Sequence, residues 1–83
     1  MAYLISAAPQ LGPTLRGLRK ARKMTQHAVA RAGGLRQKTV SMLETQPQRC
    51  SVESLMRYLA AIQADITLGQ RKEIAYAGNT GQW

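Results

Sequence analysis

Leucines spaced by three and four residues mark the first predicted helix of this 83-residue chain. Leu11, Leu15 and Leu18 form one apolar stripe, and arginines and lysines occupy the other faces of the same stretch. This spacing is typical of an amphipathic α-helix that packs on a core. Proline is tolerated only near a helix start. Either Pro9 opens the helix and Pro13 perturbs its first turn, or Pro13 itself takes the first position.

Two short helical segments follow, separated by a pair of glycines. Thr25 is a good N-cap for the segment QHAVARA, because its hydroxyl can accept from the free amides of the first turn. Gly33 and Gly34 end this segment. The next one, QKTVSMLE, is expected to turn Val40 and Leu43 inward, and the stretch TQPQ then breaks the chain.

A longer helix and a short strand are predicted in the second half of the chain. Ser51 caps the segment VESLMRYLAAIQ, whose apolar residues at three-and-four spacing are expected in the core: Val52, Leu55, Met56, Leu59 and Ile62. The stretch ADITL alternates Ile66 and Leu68 around a β-branched threonine, which is strand chemistry. From Gly69 onward the sequence is polar, rich in glycine and unpatterned, which predicts a mobile tail.

These segments suggest a division of the chain into four parts. Residues 1–8 form an arm or short strand, residues 9–63 a helical domain, residues 64–68 a strand, and residues 69–83 a flexible tail. The N-terminal stretch MAYLISAAPQL has no basic start and too short an apolar run for a signal peptide or a membrane span. We therefore expect a cytoplasmic protein that does not contact a membrane.

Charge is distributed unevenly along the chain, whose formal net charge is +8. Residues 1–43 hold eight lysines and arginines and no acidic residue, whereas residues 44–83 hold four basic and four acidic residues. A field this one-sided favours a polyanionic partner, either nucleic acid or an acidic membrane surface. A face that serves solubility alone needs no such segregation.

The residues that carry metal or catalytic chemistry are sparse. Cys50 is the single cysteine, so it forms no disulfide within the chain and offers no metal-ligand cluster. His27 has no cysteine or acidic neighbour at ligand spacing, and no nucleophile and base are paired for it to serve. We expect no enzymatic activity, no metal, no cofactor and no small-molecule substrate.

Three residues at fixed intervals indicate how the two short helices cross. Close crossing needs a small residue at the contact, a turn that permits a positive φ, and a β-branched residue that fills the wedge. Ala30, Gly34 and Val40 supply these in order. The outer face of the second helix then projects its first residues, Arg36, Gln37 and Lys38. This is a helix-turn-helix that presents a recognition helix to the major groove.

Eight residues at fixed spacing carry a resemblance to a known family: Thr25, Gln26, Ala30, Gly34, Gln37, Thr39, Ser41 and Glu44. Residues 9–62 resemble the lambda-repressor-like, Cro/C1-type (Xre) helix-turn-helix proteins. The resemblance implies an all-α bundle of four to five helices. The family often has serine or threonine at the cap of the recognition helix, where this sequence has Arg36. A cation there is unfavourable unless a phosphate is near, so we predict that Arg36 contacts DNA.

Roles for the other candidate DNA contacts follow from side-chain chemistry and from the resemblance. The family implies that Gln26 and the helix start beside it grip a phosphate. Gln37 is predicted to bind adenine, and Lys38 to bind guanine O6 and N7. Three further residues are either DNA contacts or ordinary exposed helix surface: Thr39, Ser41 and Met42. Four basic residues are expected to supply diffuse field more than direct contacts: Arg16, Arg22, Lys23 and Arg31.

Arg19 and Glu44 have a structural role in this interpretation. In the family, the acid that closes the recognition helix pairs with an arginine of the first helix, and these two residues occupy the matching positions. The resemblance thus implies an ion pair that orients the helices and makes no base contact.

The phrases LRKARKMTQ and LAAIQADITL, with a single strand after the helical domain, resemble the HipB-type antitoxins. These repressors pair with a HipA-type kinase toxin, and their C-terminal strands pair across the two-fold axis of a homodimer. The resemblance implies a sequence-specific repressor of a palindromic double-stranded operator. A stand-alone Xre-type regulator is the alternative. A nonspecific basic adaptor for nucleic acid is less favoured, because it needs stacking aromatics and the basic segment has none.

Trp83 ends the sequence after a run of polar and small residues. Tryptophan is enriched among interface anchors, so we predict that residues 74–83 dock into a groove of the partner kinase with Trp83 as anchor. An exposed end, or a side chain folded back on the domain, is the alternative.

Overall fold

The structure, a computed structural model, describes residues 3–70 of the chain. Within that range the elements are α1 (Ala8–Ala21), α2 (Gln26–Gly33), α3 (Gln37–Thr45), a 3-10 turn (Pro47–Arg49) and α4 (Val52–Ala61). The predicted all-α bundle of four to five helices is confirmed. Helix α1 packs on α3, and α2 packs on both α3 and α4.

The first helix begins before both prolines of its first turns. It starts at Ala8 with Pro9 in the first turn and Pro13 inside, so the first of the two predicted starts is the observed one. The Gln10 side chain closes this end, because its Oε1 accepts hydrogen bonds from the Ser6 and Ala7 amides at 2.6 and 3.0 Å. These bonds satisfy backbone donors that precede the helical ladder.

The start of α2 and the turn between α2 and α3 both have the predicted chemistry. Thr25 Oγ1 accepts a hydrogen bond from the Ala28 amide at 3.0 Å and so caps α2. Gly34 ends α2 with φ 68° and ψ 37°, a left-handed conformation in which glycine carries no Cβ penalty. The next amide, of Leu35, donates to the Ala30 carbonyl at 2.9 Å. Ala30 and Val40 are both buried, so the two helices meet where the sequence places their small and β-branched residues.

The core lies between the four helices, and its largest buried side chain is Tyr58. Val40 and Leu43 belong to the same buried cluster, as predicted, and so does Val29. In α4 the prediction was partly wrong. Leu55, Leu59 and Ile62 face the core, but Val52 and Met56 are 73% and 48% exposed. The stripe of α4 that faces the core is instead 55, 58, 59 and 62, so Tyr58 rather than Met56 belongs to the buried face.

Glycines allow two close helix crossings. A Cβ on Gly12 of α1 would lie 2.4 Å from the Glu44 carbonyl oxygen of α3. A Cβ on Gly33 of α2 would lie 2.9 Å from the Arg57 carbonyl oxygen of α4. Both neighbours are backbone atoms, which cannot swing aside as a side chain can. The two crossings therefore hold their spacing only with glycine at these positions.

The segment after α4 runs without regular secondary structure from residue 64 to residue 70. A strand needs a second strand for its hydrogen-bond ladder, and residues 3–70 of a single chain supply none. Ile66 and Leu68 are 46% and 89% exposed. The predicted pairing of residues 64–68 across a dimer, and the predicted domain boundaries, stay predictions. The predicted tail anchor, Trp83, lies outside the described residues.

Candidate nucleic-acid interface

The start of α3 brings the main predicted DNA contacts to one exposed edge. Arg36, Gln37 and Lys38 are all exposed there. Further along α3, Val40, Leu43 and Glu44 are buried, which fixes the helix against the core. The three exposed residues carry two positive charges and one amide, a set able to meet both phosphates and base edges.

The outward face of α3 continues along the helix from Lys38. Met42 lies one turn further on, so the two side chains are neighbours. Thr39, Ser41 and Met42 are half-buried, with part of each surface open to solvent. Thr45, which the sequence analysis did not select, extends the same face and is exposed. Its hydroxyl donates to the Ser41 carbonyl at 3.0 Å, which leaves only acceptor capacity toward a ligand.

The N-terminus of α3 is open. Arg36 is its N-cap residue, with φ −83° and ψ 149°, and makes no capping hydrogen bond with its side chain. The Arg36 carbonyl accepts from the amides of Thr39 and Val40 at 3.0 and 3.2 Å. Helix geometry leaves the earlier amides, of Gln37 and Lys38, outside the helical ladder. Together with the guanidinium of Arg36, these donors favour an anion at the start of α3.

The two residues of the predicted ion pair meet at the crossing of α1 and α3. Arg19 Nε donates to Glu44 Oε2 at 2.7 Å, and Arg19 Nη2 donates to Glu44 Oε1 at 3.0 Å. Both residues are buried, with 8% and 7% of their surfaces exposed. The remaining arm of the guanidinium, Nη1, donates to the Met24 carbonyl at 3.0 Å. A bidentate geometry of this kind fixes the planes of both groups.

Two further side chains bind the same carboxylate and extend the pair into a network. The Tyr58 hydroxyl of α4 donates to Glu44 Oε2, and its oxygen also lies 3.2 Å from the Leu15 carbonyl oxygen. Gln26, the first residue of α2, donates from Nε2 to Glu44 Oε1 at 3.1 Å. We name Arg19, Glu44, Tyr58 and Gln26 the crossing network. It joins all four helices through one carboxylate.

The pKa values within the crossing network follow from burial and hydrogen bonding. Burial favours the neutral form of Glu44, but hydrogen bonds from Arg19, Tyr58 and Gln26 outweigh it and hold the pKa of Glu44 below its ordinary value. The hydrogen bond to Glu44 raises the pKa of Arg19. Burial, followed by the hydrogen bond to the Glu44 carboxylate, raises the pKa of the Tyr58 hydroxyl. The carboxylate is thus ionised and its tyrosine donor neutral near neutral pH.

Arg22 has a more specific role than the diffuse field expected of it. Its Nε donates to the Ile62 carbonyl at 2.9 Å, and its Nη2 donates to Gln63 Oε1. These bonds tie the end of α1 to the end of α4, where Gln63 takes a positive φ of 57°. The other basic residues expected to supply field are exposed: Arg16, Lys23 and Arg31.

Within residues 3–70, no three residues of histidine, cysteine, aspartate or glutamate come together as a set of metal ligands. His27 is exposed on α2. Cys50 is a free, half-buried cysteine, and burial raises the pKa of its thiol. No helix in the described part of the chain is long and apolar enough to cross a bilayer.

Solved structures with the same fold include several complexes of HipB. The HipB–O1–O2 complex is 23% identical over 83% of this chain and all of that chain, with a TM-score of 0.78. The HipA–HipB–O2–O3 complex is 24% identical over 86% of this chain and all of that chain, with a TM-score of 0.80. The HipB–O4 20-mer complex gives the same identity, coverage and TM-score. At these identities the likeness is one of fold.

The family itself is shown by the sequence comparison. No curated protein matches the chain. The family model HTH_3, described as helix-turn-helix, matches residues 15–68, which is more than half of the chain. Those residues include the whole of α2, the turn at Gly34 and the whole of α3. The chain therefore belongs to the Xre-like helix-turn-helix family of DNA-binding regulators.

Proposed function

We propose that this protein is a sequence-specific repressor that binds a palindromic double-stranded operator as a homodimer. The observation that carries the proposal is the exposed, uncapped start of α3, where Arg36, Gln37 and Lys38 project together. A helix presented this way fits the major groove, where each base pair displays a distinct pattern of donors and acceptors. The basic residues of the N-terminal half attract the phosphates of any duplex, whatever its sequence.

Each predicted contact has a separate part in this proposal. Gln37 and Lys38 bind base edges, adenine and guanine respectively, and so select the sequence. Arg36 and the first amides of α3 bind a phosphate and set the depth of the helix in the groove. Gln26 binds a second phosphate from the start of α2. Three residues along the groove make accessory contacts: Thr39, Ser41 and Met42.

The dimer follows from an apolar surface that one chain leaves open. We name as the terminal flank the exposed apolar residues of the two terminal segments, which border one groove against α1 and α4: Tyr3, Leu4, Ile5, Ile66 and Leu68. Leu4 and Leu68 are 87% and 89% exposed, a cost that burial against a second copy would remove. Strand pairing of residues 64–68 between two copies would also give backbone groups of this segment the partners of a β-ladder.

We propose further that the chain is a HipB-type antitoxin with a HipA-type kinase toxin as second partner. Support comes from the fold shared with HipB in the HipA–HipB–O2–O3 complex. A stand-alone Xre-type regulator without a toxin is the alternative. A kinase-like chain encoded next to this one would favour the antitoxin over the stand-alone regulator. Deleting Gln82 and Trp83 tests the tail: operator affinity should not change, while affinity for that kinase should fall at least tenfold by calorimetry. An unchanged kinase affinity would rule out the anchor role of Trp83.

The test of base recognition compares two classes of variant on two kinds of DNA. The operator is a duplex selected from a random library, and the competitor is a random duplex of equal length. Gln37→Ala and Lys38→Ala should each lose about 1–3 kcal/mol on the operator and much less on the competitor. Arg16→Ala, which removes an exposed charge of α1, should weaken both alike and flatten the salt dependence. Equal losses on both duplexes for the Gln37 and Lys38 variants would refute base recognition.

A further inference from the structure

Gln26 connects the buried centre of the molecule with the proposed DNA surface. It opens α2, it is half-buried, and its amide nitrogen lies 3.1 Å from Glu44 Oε1. Thr25 caps this end of α2, because its hydroxyl accepts a hydrogen bond from the Ala28 amide. The Gln26 side chain is therefore not needed as the cap. Its orientation is set instead by the carboxylate behind it.

An ionised carboxylate can only accept hydrogen bonds, and this decides which end of the Gln26 amide faces it. The NH₂ group turns toward Glu44, and the carbonyl oxygen turns away. One of the two N–H bonds is used by Glu44, and the second remains for another acceptor. A phosphate oxygen is such an acceptor, so the bond to Glu44 prepares Gln26 as a donor rather than presenting its oxygen to the phosphate.

Tyr58 completes the support of this carboxylate from the opposite side. Glu44 Oε1 accepts from Arg19 and Gln26, whereas Oε2 accepts from Arg19 and Tyr58. Arginine alone fixes the carboxylate in one plane from the side of α1. The tyrosine hydroxyl, which also lies beside the Leu15 carbonyl oxygen, adds a contact from α4 that resists rotation out of this plane.

We propose that Tyr58, acting through Glu44, is a positioning residue that holds the Gln26 amide ready to bind a DNA phosphate. This rests on the proposed phosphate contact of Gln26. The tyrosine itself is completely buried and does not reach the DNA surface. Its hydroxyl acts by keeping the carboxylate, and through it the amide, in a single orientation before DNA arrives, which lowers the ordering cost of binding.

The first test needs no DNA. Tyr58→Phe removes one oxygen and leaves the ring that fills the core. In wild-type protein the side-chain NH₂ protons of half-buried Gln26 should differ in shift from those of exposed Gln48 and should exchange more slowly with water. In Tyr58→Phe they should move toward the values of Gln48. Gln26 resonances that are the same in both proteins would overturn the positioning role.

The second test is a double-mutant cycle on the selected operator. Tyr58→Phe should weaken binding about threefold to tenfold, and it should have no further effect in a Gln26→Ala background. Ile62→Val is the matched control, because it trims a buried side chain and removes no side-chain hydrogen bond of the crossing network, so it should cost stability without weakening binding. Equal effects of Tyr58→Phe with and without Gln26 would overturn the proposal. If Gln26→Ala alone left the affinity for the operator unchanged, the phosphate contact would be refuted. The resonance experiment would still test the positioning role of Tyr58, because it needs no DNA.

Discussion

The crossing of α1 and α3 buries charged side chains, whereas the terminal flank exposes apolar ones. At the crossing, two charged residues are buried, and each oxygen of the Glu44 carboxylate has two donors. At the flank, leucines and isoleucines that would favour burial lie in solvent, with Leu68 89% exposed. The first region carries charge into the interior, and the second leaves apolar surface outside.

The difference separates what one chain completes from what it leaves for a partner. Buried ions are costly unless paired, so the crossing network specifies a single arrangement of the helices. Exposed apolar side chains cost little individually but favour association when they adjoin one another. The crossing therefore determines how α3 is presented, and in the proposed dimer the flank determines whether two such helices are presented together.

The largest expected effect is the loss of the buried cation. Arg19→Ala leaves Glu44 buried without its ion partner and should lower the free energy of unfolding by about 3–5 kcal/mol. Arg57→Ala is the matched control, because its 3.1 Å pair with Glu53 is exposed, with 50% and 75% of the two side-chain surfaces in solvent. It should change stability by no more than about 0.5 kcal/mol. Urea titration measures both, and similar losses would mean that burial of the pair does not matter.

Protonation of Glu44 in acid breaks the same ion pair with Arg19 without a mutation. The pKa of Glu44 is lowered in the folded chain, so this group contributes stability above its ordinary value of 4.5 and loses that contribution as pH falls below it. Wild-type protein should therefore lose more stability in acid than Glu44→Gln, which has no such group to protonate. Parallel pH profiles of the two proteins would contradict the role of the ionised carboxylate.

The next largest loss of stability is expected from a larger side chain at the crossing of α1 and α3. Gly12→Ala places a methyl group against the Glu44 carbonyl and should cost about 1–3 kcal/mol, because α1 and α3 must separate. Gly17→Ala in the same helix has nothing within 4 Å of the new Cβ. It should stabilise the protein by up to about 1 kcal/mol through helix propensity. Thermal unfolding of the two variants measures both effects. If Gly17→Ala also destabilised the protein, the loss in Gly12→Ala would not be due to crowding at the crossing.

At the flank, a charge should break association while leaving the single chain folded. Leu68→Asp should raise the dimer dissociation constant at least tenfold, because it places an unpaired charge in the shared apolar surface. The stability of the isolated chain should change by less than about 0.5 kcal/mol. Val52→Asp alters an exposed apolar residue of α4 outside the flank and should leave the dimer intact. Sedimentation equilibrium measures both, and an unchanged Leu68 variant would exclude the flank as the interface.

Much of the fold follows from local patterns. The leucine stripe of α1, the Thr25 cap and the left-handed Gly34 are properties of short stretches, and the sequence contains them directly. The pairing of Arg19 with Glu44 required the family resemblance, because the two residues are 25 positions apart. No local pattern brings them together.

Tyr58 and Arg22 show what the sequence pattern could not supply. The three-and-four spacing of apolar residues selected Met56 for the core and passed over Tyr58, two positions further along. The hydroxyl is buried only because Glu44 and the Leu15 carbonyl lie beside it in the folded chain. Arg22 likewise resembles any exposed cation until α4 brings the Ile62 carbonyl within 2.9 Å. Both contacts depend on where helices cross.

Selection of bound duplexes from a random library shows whether paired copies of α3 recognise base sequence. We predict enrichment of a palindrome whose half-sites lie about 10–10.5 base pairs apart, centre to centre. The selected duplex should bind about 10³-fold or more tightly than random DNA at physiological salt. Recovery of duplexes with no common sequence, bound no better than the starting library, would contradict it.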